Sequence, residues 1–131
     1  MAVQLYWDDN NPDILILDLG SGWTWDEFHA GVARGVEMMQ AASTPVYAIS
    51  LPGARFPSPT GILGNFKLVI PRLPPNLVMV IIVTENYFVE TVNRIFFRVS
   101  PTAGKMSRIA RTIDEARQII AEHRAKRPSV Q

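Results

Sequence analysis

From Leu77 to Val83 the chain reads Leu-Val-Met-Val-Ile-Ile-Val, seven apolar residues between Asn76 and Thr84. A strand with one wet face alternates polar and apolar side chains, and this one does not, so both its faces are expected to be covered. Seven residues are too few for a bilayer, which takes about 20. Gln4–Trp7, Ile14–Leu19, Pro45–Ile49 and Ser107–Ala110 read as further strands. The first two are separated by the turn formers Asp8 to Asp13, which predicts an antiparallel hairpin.

Helical periodicity fills the gaps. Trp25, Phe28, Val32, Val36 and Met39 recur at helical spacing behind the capping box Thr24–Glu27. Ile62, Leu63, Phe66, Val69 and Ile70 do so between Thr60 and Pro71, and Phe88, Val92, Ile95, Phe96 and Val99 after Asn86. The box Thr112–Glu115 repeats before Ala116, Ile119 and Ile120. Pro52 to Pro59 and Ser100 to Lys105 read as loops. The order is strand, strand, then four helices alternating with three strands. It predicts an α/β domain with a mostly parallel five-stranded sheet, an N-terminal antiparallel hairpin and four helices. One domain over residues 1–127 is expected, with a flexible tail at 128–131.

Composition narrows the chemistry. Apolar residues are 47% and charged residues 19%, which is globular rather than disordered. The chain has no cysteine, which removes disulfides, thiol nucleophiles and cysteine-rich zinc sites. No leader-like apolar segment opens it, so the expected location is cytoplasmic. Residues 1–50 hold seven acids and one base, whereas residues 51–131 hold twelve bases and five acids. Without a dense basic run or interleaved aromatics, this split is read as two solvated faces or as attraction between copies, not as a nucleic-acid site.

Element order, length, the closing segment Ala110-Arg111-Thr112-Ile113-Asp114-Glu115-Ala116 and the helix opening Gly22-Trp23-Thr24-Trp25-Asp26-Glu27-Phe28 resemble the STAS family, whose fold is that of the SpoIIAA anti-anti-sigma factors. The resemblance implies a SpoIIAA-like β-α superhelix and a bacterial, regulatory, protein-binding role. In anti-anti-sigma members a serine in an Asp-Ser-x-Gly turn after the third strand is phosphorylated by a partner kinase. The matching region here reads Phe56-Pro57-Ser58-Pro59-Thr60-Gly61, without the aspartate, so Ser58 and Thr60 are the hydroxyls that could take that part.

Catalytic sets are absent from the sequence. His29 is expected at the edge of a buried helix face and His123 in solvent; no G-x-S-x-G elbow or P-loop spacing occurs. Asp8, Asp9 and Asp13 read as turn residues rather than a cation loop. Neither a cofactor nor a metal is expected, and the chain is read as a non-enzyme. In open α/β sheets ligands sit beyond the carboxyl ends of the strands. Thr84 and Asn86 lie there after the apolar strand, with Ser58 and Thr60 on the same edge. Trp23, just before the first helix, is either lid packing over the sheet end or an exposed anchor for a partner. The expected partners are a protein, a second copy of the chain or a small apolar ligand; neither nucleic acid nor membrane is expected. The two leading readings are a STAS-like regulatory or interaction module, open to control by phosphorylation at the loop before the second helix, and a small-molecule or lipid-binding domain of SEC14-like type using the edge at the C-terminal ends of the strands.

Overall fold

The structure is a computed structural model and describes residues 3–53, 61–87, 90–91, 94–95, 98 and 101–126. Five strands form one sheet whose spatial order follows the chain: β1 (Gln4–Asp8), β2 (Asn11–Asp18), β3 (Val46–Leu51), β4 (Leu77–Val83) and β5 (Ser107–Ala110). β1 pairs antiparallel with β2; every other neighbouring pair is parallel. The apolar run is therefore fourth in line, between β3 and β5, and β3 is the middle strand.

The helices are α1 (Trp25–Ala42), α2 (Ile62–Val69), α3 (Pro101–Met106) and α4 (Ile113–Lys126). A 3-10 turn, Ile70–Arg72, carries Pro71 and ends the second helix. Between β4 and Pro101 the described residues Tyr87, Glu90, Thr91, Arg94, Ile95 and Arg98 are helical. The predicted N-cap Thr60 lies outside the described residues.

Two local expectations change. The hairpin turn is only Asp9-Asn10: β1 runs on to Asp8 and β2 starts at Asn11, because the Asn11 amide donates to Asp8 Oδ2 at 2.7 Å and holds the ends together. Pro101 to Met106 forms a helix where a loop is expected. Proline fits the first turn of a helix, where its missing N–H has no intrahelical partner to lose.

The two faces of the sheet are covered differently. On one, Ile14, Ile16, Tyr47, Ile49, Met79 and Ile81 meet Ala116 and Ile120 of α4, all almost fully buried. The hairpin is strapped to that helix by ion pairs. Arg117 donates from Nε and Nη2 to the two Asp8 oxygens at 3.1 and 2.8 Å. Arg124 grips the Asp13 carboxylate with two nitrogens, reaches Asn11 Oδ1 at 3.3 Å and lies over the Tyr47 ring. His123, expected in solvent, is half-buried, with Nδ1 2.7 Å from the Tyr47 hydroxyl. Two acids of the first half, Asp8 and Asp13, thus pair with two bases of the second half, Arg117 and Arg124.

The other face takes α1 and α2. The Thr24 hydroxyl accepts from Glu27 N–H while Glu27 Oε1 accepts from Thr24 N–H, so the predicted capping box is present. Gly31 and Gly35, one helical turn apart, let α1 approach β1 and β2 closely. A Cβ at Gly31 would lie 3.1 Å from both Leu17 Cδ1 and Val3 Cγ1. Trp23, Trp25, Phe28 and Phe66 stack edge-on or tilted, with centroids 5.0 to 6.3 Å apart, and join the start of α1 to α2.

Candidate functional site

The parallel strands end together, and their exits are tied to one another. Leu19 N–H donates to Leu51 O at 3.0 Å, and Thr84 N–H to Ala110 O at 2.8 Å. Trp23 Nε1 donates to Pro52 O at 2.8 Å. Gly53 has φ +78°, and a Cβ there would meet Gly20 O at 2.9 Å, so glycine is required both by conformation and by contact.

Beyond these exits lies an open cleft of about 450 Å³, lined by Gly53, Val83, Thr84, Glu85, Asn86 and Arg111. Thr84 is buried, and its hydroxyl accepts from Asn86 N–H at 3.0 Å. Asn86 O accepts from Glu90 N–H at 3.1 Å, which places Asn86 at the start of the helical stretch after β4. The cap of α4 presents Arg111: Glu115 N–H donates to Thr112 Oγ1 at 3.0 Å, and Arg111 N–H to Glu115 Oε1 at 2.6 Å. Arg111 is exposed, and its guanidinium has no ion-pair partner among the described residues.

The sequence candidates divide. Thr84 and Asn86 come together in the cleft. Trp23 is 3% exposed and hydrogen-bonded, so it is lid packing over the sheet end rather than a surface anchor. Ser58 and Thr60 lie outside the described residues. Reading the sequence for hydroxyls and amides passed over Arg111, although it lies in the short stretch between the last strand and a capping box. That position is the signal that could have found it.

A second space has no counterpart among the sequence candidates. Between α1, α2 and the sheet lies a cavity of about 130 Å³. Leu15, Leu17, Ala48, Val80 and Ile82 form its floor, while Phe28, Val32 and Met39 of α1 and Phe66 and Val69 of α2 form its roof. Among the described residues Ser50 and Ser107 are its polar lining, and no charged side chain lines it. The two roof helices are also linked by a polar contact: His29 Nε2 is 2.7 Å from Asn65 Oδ1, and Asn65 Nδ2 donates to Gly61 O at 2.7 Å.

No protein-family model, no curated protein and no solved structure matches this chain. Its sites therefore have to be read from their own geometry. Among the described residues no group of three or more histidines or acids is placed to hold a metal ion. No described helix is long and apolar enough to cross a membrane.

Proposed function

We propose that this chain is a regulatory, protein-binding module of STAS, SpoIIAA-like type, without catalytic activity, working in the cytoplasm through the carboxyl edge of its sheet. The observation that carries the reading is the cleft in which Thr84, Asn86 and Arg111 converge where β4 and β5 end. The strand order, which follows the chain from an antiparallel hairpin through parallel crossovers, supports a β-α superhelix. A phosphate on Ser58 would sit within five residues of Gly53, a span of at most about 18 Å. Arg111 at the cleft could then receive it through charge-assisted hydrogen bonds.

Phosphosite mapping of the protein isolated from its own cells tests this, together with identification of whatever co-purifies with it. Phosphate on Ser58 or Thr60, and a stoichiometric protein partner lost on Arg111→Ala, are expected. A protein that is never phosphorylated and elutes alone, or as a homodimer indifferent to Arg111, contradicts the reading.

The cavity between the sheet and α1 and α2 favours a second reading, a small-molecule or lipid-binding domain of SEC14-like type.

A further inference from the structure

We infer that the space under α1 and α2 binds a small, uncharged, predominantly apolar molecule, about the size of a single ring or a six-carbon chain, with one or two hydroxyl or carbonyl oxygens at most. The inference rests on the second reading above and narrows it. It moves the ligand from the polar carboxyl edge to the interior and excludes a charged head group from the site.

Size sets the first limit. An apolar protein cavity of about 150 Å³ stays dry and takes up benzene or xenon. The space here, about 130 Å³, is comparable in volume, opens at the surface, and is lined among the described residues by apolar side chains and two serines. Charge sets the second. Among the described residues no Lys, Arg, His, Asp or Glu lines the cavity, so a buried carboxylate or ammonium would find no counter-charge among them.

The two serines set the third. Ser50 is on β3 and Ser107 on β5, with β4 between them, and both line the cavity. Neither hydroxyl makes a hydrogen bond among the described residues. Two strand spacings amount to about 10 Å, too far for one water to bridge both hydroxyls. A water needs two to four polar partners, and the described lining offers one serine at each end. An apolar molecule carrying an oxygen at one end meets a single serine and leaves no polar group of its own unpaired.

Alternation along β4 separates the two faces, whereas Ile49 of β3 both lines the cavity and belongs to the core under α4. Val80 and Ile82 point to the cavity, whereas Met79 and Ile81 belong to the core under α4. The floor can therefore be changed at Ala48 or Val80 without touching that core. Ala48 is the smallest side chain of the floor; Ala48→Leu would place an isobutyl group in the space.

Hexan-1-ol and hexanoate, which share a chain length and differ in charge, are titrated into the whole protein at pH 8. The methyl resonances of Val32, Val80 and Ile82 and the Tm are followed. Hexan-1-ol is expected to shift those methyls and raise the Tm at millimolar concentration, and hexanoate to bind at least tenfold more weakly. Ala48→Leu is expected to weaken hexan-1-ol at least tenfold. If that variant does not fold, Val80→Ile, one methyl larger, is expected to weaken it severalfold. Hexanoate binding as tightly as hexan-1-ol overturns the proposed ligand chemistry and leaves the second reading standing. Methyls unmoved by either compound overturn both.

Discussion

Ile81 and Ile82 are neighbours in β4, yet they enter different surroundings. Ile81 is fully buried in the core closed by α4, while Ile82 lines the cavity under α1 and α2. The first face is closed by side chains of complementary shape and fastened at its rim by Asp8–Arg117, Asp13–Arg124 and Tyr47–His123. On the second, α1 approaches the sheet at Gly31 and Gly35 and stacks aromatics against α2 at its start, leaving apolar space between. Tight packing and open apolar space thus fall on opposite sides of one sheet. The straps hold the hairpin against the C-terminal helix on the first face.

Truncating the two isoleucines sharpens this contrast most. Ile81→Ala removes a side chain with close neighbours all round and is expected to cost about 4 kcal/mol. Ile82→Ala removes one that already borders empty space and is expected to cost about 2 kcal/mol. Urea unfolding of both variants measures the difference; equal losses would mean that the two faces are equally packed.

The rim can be tested by pH. Arg117, hydrogen-bonded to Asp8, holds that carboxyl below its ordinary range, against the opposing effect of burial, and the Asn11 amide assists. Because the folded pKa is depressed, the unfolded chain binds the extra proton first as pH falls. The stabilisation is therefore complete above the unfolded value, near 3.9, and is lost as pH drops through the folded value. Asp8→Asn keeps the shape and removes the charge, and is expected to cost about 2 kcal/mol at pH 7. The gap from the unmodified protein should begin to narrow below about pH 4 and vanish once pH falls below the depressed folded value. A gap independent of pH would assign the loss to packing rather than to the ion pair.

The smallest effects concern the helix glycines. A Cβ at Gly35 meets Leu5 and Leu15 at 3.4 and 3.6 Å, ordinary contact distances for the most part. Gly35→Ala is therefore expected to stabilise by about 0.5 kcal/mol through helix propensity. Gly31→Ala, with two contacts at 3.1 Å, should gain nothing or lose slightly. Thermal melts of the pair give the order; stabilisation by both would mean that α1 is looser against the hairpin than its position indicates.

Much of this architecture was legible because periodicity records which way side chains face. The run Leu77–Val83, the boxes Thr24–Glu27 and Thr112–Glu115, and the alternation of strand with helix gave the α/β class and the mixed five-stranded sheet. The carboxyl edge was legible as topology, which is how Thr84 and Asn86 were found. The straps were not. Asp8 and Arg117 are 109 residues apart, and Asp13 and Arg124 are 111 apart, so their pairing depends on the register of the hairpin against α4. His123 looked solvated because nothing near it in sequence names Tyr47 as its partner. The cavity was illegible for a different reason. Phe28, Val32, Ala48, Val80 and Phe66 read as ordinary core positions, and only their packing in three dimensions reveals the space they fail to fill.

That unfilled space is the central claim, and a crystal of the protein pressurised with xenon addresses it directly. A xenon atom bound between α1, α2 and the sheet, within contact of Ala48 and Val80, with none under α4, is the result expected here. A cavity face that takes up no xenon because its side chains have closed the space would contradict it.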